Sequence, residues 1–360
     1  MAFKKPQVTK VKTDIQSLSI YLRSVKKFGK TTLFRDLILE KFNGNPEKGL
    51  LIGIGAEMGY SILDNLNATQ IENWEELEDL KDWLITQKGK EHDIEIVAFD
   101  VIDELIPIAE EEIMRLSKKD GKPCKSFNGA FGGYGEPRKR FQKLLKDFFS
   151  DLKKAGIQPF AISHTKVKNV KEKGDEGEGY QTLTSNLSND YESIFGDIFD
   201  CVLTGYIDRD VEGGKVTSAT RKLYLRGNGF IDAGCRFADN TVPEYIVFDK
   251  PNMAKDFIEV LEEGLRKSRT VDKLDKDQFK VEQEKERQEL SKKAEQFTSD
   301  LQNKEDTDEQ KEEKLNKIKE NMAKIDIEKL QEIIAKHKVT NLGDASIIPT
   351  QCLNEILELI

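Results

Sequence analysis

One stretch limits the possible folds more than any other: "LSIYLRSVKKFGKTTLFRDLILEKF", residues 18–42. An apolar run, 18–23, leads into a short basic loop ending in Gly29, Lys30 and Thr31, where a helical pattern begins. Strand, loop and helix in that order are the setting of a phosphate-binding loop, G-x-x-x-x-G-K-S/T. In such a loop successive backbone N–H groups point at a β-phosphate and the lysine reaches the β/γ oxygens. The Ser/Thr hydroxyl ligates Mg2+ at the helix N-terminus. The candidate ATP loop is therefore Ser24, Val25, Lys26, Lys27, Phe28, Gly29, Lys30, Thr31 and Thr32. Ser24 stands where the pattern has its first glycine, a place often held in a conformation open mainly to Gly. Serine is small, which predicts a shifted or strained loop rather than a blocked one. The alternative is a helix N-terminus that begins Gly-Lys-Thr without binding anything.

Up to about residue 250 short apolar runs alternate with amphipathic segments, predicting an α/β domain with a largely parallel sheet. Strands are expected at 18–23, 49–55, 93–100, 157–163, 200–208 and 221–227. Helices are expected at "TTLFRDLILEKF", "NWEELEDLKDWLITQ", "VIDELIPIAEEEIMRLS" and "PRKRFQKLLKDFFSDLKKA", where apolar residues recur at three- and four-residue spacing. Two long polar segments, 117–137 and 166–193, read as functional loops. The division expected is a core over 1–250, a charged helical linker or extension over 251–324, and a small helical segment over 325–360.

Ligands of open α/β sheets bind beyond the carboxyl ends of the strands, and polar residues cluster at those ends. The strand "DIEIVAF" ends in Asp100, a carboxylate placed to hold Mg2+ together with Thr31. Glu57 follows the second strand, where a carboxylate can activate water; the alternative is a solvent-facing glutamate. His164 ends the strand "IQPFAIS", where it can sense a γ-phosphate; the alternative is a structural histidine.

Composition adds limits. The net charge of -9 means that a nucleic-acid site must be a local basic patch. Hydrophobic residues are 37% and charged residues 34%, so part of the chain is expected to be solvated helix. Cys124, Cys201, Cys235 and Cys352 form no C-x-x-C pair, which favours reduced thiols over a zinc site or disulfide framework. The N-terminus lacks an apolar signal core, and no window has a membrane helix's apolar run. The expectation is a soluble cytoplasmic protein without a membrane partner.

"SVKKFGKTT", "GAE" at 55–57, "IVAFD" at 96–100, "FGGYGEPRKRF" and "AISHTK" at 161–166, in that order, resemble the RecA-like ATPases. The resemblance spans roughly 15–250 and is nearest to the compact phage-encoded RecA-like (AAA-type) proteins of recombination and single-strand annealing. It implies a P-loop NTPase core, ATP and Mg2+ as cofactors, and catalytic roles for Lys30, Glu57 and His164. It also implies homo-oligomers and location in a host cytoplasm. The two long loops would face single-stranded DNA, with Lys119, Lys125, Phe131 and Tyr134 in the first, and Lys166 and Lys168 in the second. Phe127 and Tyr180 are further candidates for stacking on bases; Asp175, Glu176 and Glu178 would repel phosphate. Arg221 or Arg226 would complete a neighbour's ATP site as a finger in trans. The charged C-terminal helices suggest a second function: a nucleotide-gated adaptor with little ATPase activity, docking phage or host recombination and replication proteins.

Overall fold

The computed structural model describes residues 12–56, 59–171, 174, 177–269, 273–302, 306–339 and 341–360. The chain divides into two compact units, Met1–Lys293 and Ala294–Ile360.

The described strands of the first unit form one ten-stranded sheet. In chain order they are β1 (Ile20–Ser24), β2 (Gly49–Ile54), β3 (Ala68–Ile71), β4 (Ile96–Asp100), β5 (Gln158–Val170), β6 (Tyr180–Ser185), β7 (Cys201–Glu212), β8 (Lys215–Tyr224), β9 (Gly234–Cys235) and β10 (Tyr245–Val247). The spatial order is β10-β8-β7-β1-β5-β4-β2-β3, with β6 paired to β5 and β9 to β7. The run from β7 to β3 is parallel, whereas β8, β10, β6 and β9 pair antiparallel. This is the mixed α/β fold with a largely parallel central sheet that the alternating pattern predicts.

Period-two alternation in β1 sorts its side chains between two layers of helices. Ile20 and Leu22 belong to a core cluster with Phe34, Leu37 and Ile38 of α1 (Lys30–Lys41). Tyr21 points the other way, against Phe195 and Phe199, which also pack on Phe149 of α4 (Glu136–Lys154). That second layer also contains α2 (Trp74–Thr86), α3 (Ile102–Lys119) and α5 (Asn189–Ile198), and Phe99 of β4 packs edge-on against Phe148 and Phe149. β1 is covered on both faces and lies between two parallel strands, so its end is the most constrained point of the sheet.

Two expectations change. The segment 166–193 is not a structureless loop: β5 continues to Val170, and β6 returns beside it before α5 begins. Few residues of that hairpin are buried, so its sequence lacks the apolar alternation that marks a strand. The first unit also does not stop at 250. Helix α6 (Met253–Lys267) buries Met253, Phe257, Ile258, Leu261 and Leu265 in the same core as α1, with its charges on the outer face. Helix α7 (Lys276–Gln302) begins in this unit; its Glu286 accepts from Thr13 Oγ1 at 2.5 Å, and its Arg287 pairs with buried Asp14 at 2.6 Å.

The second unit holds α8 (Asp308–Glu320), α9 (Ile327–Lys336) and α10 (Thr350–Leu357). Leu315, Ile318, Leu330, Ile348, Leu353 and Ile356 form its own core. Among the described residues no helix is long and apolar enough to cross a membrane.

A tight point lies between β1 and β7. Ser24 pairs in register with Gly205, and a Cβ on Gly205 would stand 2.7 Å from the Phe28 ring and 2.8 Å from Ser24 Cβ. Gly205→Ala is expected to cost about 1–3 kcal/mol of stability through overpacking, read as a lower urea midpoint. An unchanged midpoint would show that β1 and β7 have room to separate.

Candidate functional site

The end of β1 brings the predicted loop to the carboxyl edge of the sheet, where Ser24 is level with His164 of β5 and Gly205 of β7. Ser24 is fully buried and ends the strand in extended backbone, so the left-handed conformation that would favour glycine is not needed there. The left-handed residues are Lys27 (φ 61°) and Gly29 (φ 110°), later in the loop. What position 24 requires is small size, and Gly205 opposite supplies the missing space.

Phe28 anchors the loop. Its ring is fully buried, 4.6 Å from that of Phe248, and its carbonyl accepts from Arg221 at 2.7 Å. Arg221 lies over the Phe248 ring and donates through Nε to Asp249 at 2.5 Å. Burial pushes the Asp249 carboxyl up, but the backbone and side-chain hydrogen bonds from Arg221 outweigh it and hold the group below its usual value. Val25, Lys26 and Lys27 are exposed, while Gly29, Thr31 and Thr32 are half-buried.

Lys30 and Thr31 open α1, and among the described residues no side chain caps that first turn. An uncapped helix start behind a left-handed glycine suits an anion. The Lys30 ammonium is buried and donates to the carbonyls of Val25 (3.2 Å) and Ser24 (3.4 Å). Thr31 Oγ1 donates to Asp100 Oδ2 at 2.9 Å. In the sheet β5 lies between β1 and β4, so the first turn of α1 reaches across one strand to meet Asp100. Among the described residues no three His, Cys, Asp or Glu side chains gather as a metal cage. One hydroxyl and one buried carboxylate suit Mg2+, which takes one or two protein ligands and completes its shell with phosphate and water.

Residues 16–237 match the family model of the AAA domain, more than half of the chain. The chain belongs to the AAA domain family. No curated protein matches it in sequence. The match covers the loop, Asp100 and His164, and ends before Phe248 and Asp249, which brace Arg221.

His164 sits at the edge of the AAA core's loop. Its backbone N–H donates to Asp103 Oδ2 at 3.2 Å, and its Nδ1 is 3.8 Å from the same oxygen. Asp103 also accepts from Ser163 Oγ (2.7 Å) and from Asn186, just past β6 (3.2 Å). Asp103 therefore ties the start of α3 to β5 and to the β6 hairpin. Its sequence signal was the second carboxylate of "FDVIDEL", three residues after Asp100. Glu57 lies outside the described residues. At the neighbouring Gly55 (φ 64°), a Cβ would stand 3.7 Å from Glu104 Cβ, so Glu104 is the described carboxylate beside the end of β2.

Sequence reasoning missed the network behind the loop. Arg23, next to Ser24, is fully buried on the α5 side of β1. Its guanidinium donates to Glu192 (2.5 Å), Thr204 Oγ1 (3.1 Å), the Asp232 carbonyl (2.5 Å) and the Asp232 carboxylate (3.1 Å). Tyr21 OH donates to Glu192 (2.8 Å), and Thr184 of β6 donates to Asp232 (2.6 Å). Burial first, then Glu192, raise the Tyr21 hydroxyl well above its usual value. The only sequence signal was an arginine ending an apolar strand.

The predicted DNA contacts are divided. Lys119, Lys125, Lys166 and Tyr134 are exposed, and Tyr134 is held at φ 52° between left-handed glycines. Phe131 lies 3.8 Å from the Arg140 guanidinium, and Phe127 packs on Phe141. Lys168 donates to the Leu187 carbonyl (2.7 Å) and Asn189 (3.2 Å), and burial, then Lys166, lower its pKa. Arg221 and Arg226 are both engaged within their own chain: Arg226 donates to the carbonyls of Cys235, Phe237 and Ala238.

Removing Arg23 leaves half-buried Glu192 and buried Thr204 without their cation. Arg23→Leu is expected to destabilise the protein by about 3 kcal/mol, measured by urea unfolding. Its effect should be strongly non-additive with Glu192→Gln, and additivity would contradict the network.

Proposed function

We propose that this AAA protein binds ATP with Mg2+ at the β1–α1 loop, hydrolyses it, and works with single-stranded DNA in recombination, repair or replication. The observation that carries the nucleotide reading is the Thr31–Asp100 hydrogen bond, which sets a hydroxyl and a carboxylate together at the uncapped start of α1. Mg2+, when bound, neutralises charge on the phosphate oxygens.

Thr31 and Asp100 would hold that ion. Lys30 would exchange the Ser24 and Val25 carbonyls for β/γ oxygens, and the N–H groups of 27–31 would orient the phosphates. Glu57 would position and deprotonate the attacking water. His164 would respond at the γ-phosphate position and, through shared Asp103, pass its state to Asn186 and the β5–β6 hairpin.

The RecA-like reading rests on the order of matching segments, supported by the strand between β1 and β4; the phage-encoded reading rests on that order of segments alone. Exposed Lys119, Lys125, Lys166 and Tyr134 would carry the DNA contact. Phe131 and Lys168 would first have to leave Arg140 and Leu187. In a homo-oligomer, Arg221 or Arg226 could serve a neighbour only by exchanging its present bonds; Arg221 is better suited to bracing its own loop. A host cytoplasm remains the proposed location. A second reading, the ATP-gated adaptor, is favoured by the separate core of 294–360 and by exposed Ile327 and Ile347 as docking residues for a partner protein.

Lys30→Ala is expected to reduce ATP turnover to background, and Glu57→Gln to reduce it while leaving ATP bound; phosphate release and nucleotide binding measure the two. Full turnover in Lys30→Ala would reject the loop. Stimulation by single-stranded DNA, falling steeply with salt, supports the DNA reading. Turnover indifferent to DNA leaves the adaptor.

A further inference from the structure

Two of the four cysteines face each other across neighbouring strands. Cys201 opens β7 and Cys235 closes the two-residue β9, with Cys201 opposite Cys235 and Val202 opposite Gly234 in antiparallel register. Opposed residues of an antiparallel pair project from the same face of the sheet. The hydrogen bonding identifies the kind of pair. Arg236 N donates to the Asp200 carbonyl at 3.0 Å, bracketing the pair from outside, while Cys201 N is directed the other way, to Ser19 of the β1 side, at 3.1 Å. Cys201 and Cys235 are therefore a non-hydrogen-bonded pair, in which Cα atoms approach to about 4.5 Å and side chains are closest. A disulfide bridges Cα separations of about 4.4–6.8 Å. The Cys235 side chain stands close enough to act on the Cys201 thiol. Cys201 is fully buried, and Cys235 is half-buried and reachable from solvent.

We propose that Cys201 and Cys235 form a thiol–disulfide exchange site, oxidised to an intrachain disulfide by a low-molecular-weight disulfide such as glutathione disulfide. Cys235 attacks first because it alone of the two is reached from solvent. Its thiolate bonds to one glutathione sulfur, the S–S bond breaks, and one glutathione leaves and takes a proton. Cys201, giving up its proton to solvent, then attacks Cys235 Sγ and releases the second glutathione. Two electrons pass from the cysteine pair to the glutathione disulfide, which departs as two thiols. The neighbouring Cys235 side chain, and then burial, push the Cys201 thiol well above its usual value, so the closing step should be slow at neutral pH and faster as pH rises.

The position gives the bond a consequence. β9 ends the segment in which Asp232 holds Arg23, and the Cys235 carbonyl accepts from Arg226 at 3.2 Å. A disulfide would fasten this segment to β7 at its shortest strand. The proposal does not depend on the nucleotide reading.

The test incubates the purified full chain with glutathione disulfide from neutral to mildly alkaline pH, followed by intact mass and non-reducing peptide mapping. The expected product has lost two hydrogen masses, links the peptides of Cys201 and Cys235, and is reversed by dithiothreitol. The link should persist in the Cys124→Ser/Cys352→Ser double variant. Cys201→Ser should stop at a stable glutathione adduct on Cys235, and Cys235→Ser should give no link. The proposal is overturned if folded wild type gains no link, if unresolved adducts accumulate on Cys235, or if the link forms only in urea.

Discussion

The arrangement depends on the level at which β1 stops between two longer parallel strands. β1 ends at Ser24, held between His164 of β5 and Gly205 of β7, and everything functional is placed by that register. The chain must turn there within a crowded space: Gly205 has no room for a side chain, Phe28 fills the core below, and the turn is made by left-handed Lys27 and Gly29. Helix α1 can then start in only one place, which carries Thr31 across β5 to Asp100. A serine fits the altered position because the close packing sets a limit on volume there and no demand on φ.

Behind that turn lies a polar core unusual for the centre of a sheet. A buried arginine is costly unless its charge and donors are met, and Arg23 meets them on α5, β7 and the segment that leads to β9. Thr184 and Asn186 bring the β5–β6 hairpin to the same two carboxylates, Asp232 and Asp103, that hold Arg23 and brace His164. The loop strand, the hairpin and the β9 segment are thus joined by hydrogen bonds that run from fully buried Arg23 out to solvent-exposed Asp232 and Asn186. At the buried end, where Arg23 donates to Thr204, such a bond is stronger and its loss more costly.

Much of this was legible in the sequence. Helices α1 to α4 and strands β1, β2, β4, β5 and β7 follow from apolar patterning, because each buries one face or both over much of its length; of β8 only the end from Arg221 was legible, and the strand expected at 221–227 starts earlier and stops at Tyr224. The AAA-type core and the strand, loop and helix that open it were legible because Gly29, Lys30, Thr31 and Asp100 are local signals. Illegible were the short or edge strands β3, β6, β9 and β10, which bury too little to leave a pattern. Arg23, Asp103 and the bracing of the loop by Arg221, which the sequence suggested only as a finger in trans, were missed for another reason. Their partners stand 28 to 209 residues away along the chain, and only the fold brings them together. The place of helix α6 in the first unit's core was hidden by its composition, since a charged outer face masked an apolar stripe.

The most direct measurement is the magnesium dependence of nucleotide binding, followed by fluorescence of a labelled ATP analogue in wild type and Asp100→Asn. If Thr31 and Asp100 form an ion site, Mg2+ tightens binding to wild type by about tenfold or more, a gain of about 1.4 kcal/mol. The same ion then adds little to Asp100→Asn. Equal affinity of wild type with Mg2+ and with a chelator, or no binding in either, would contradict the account.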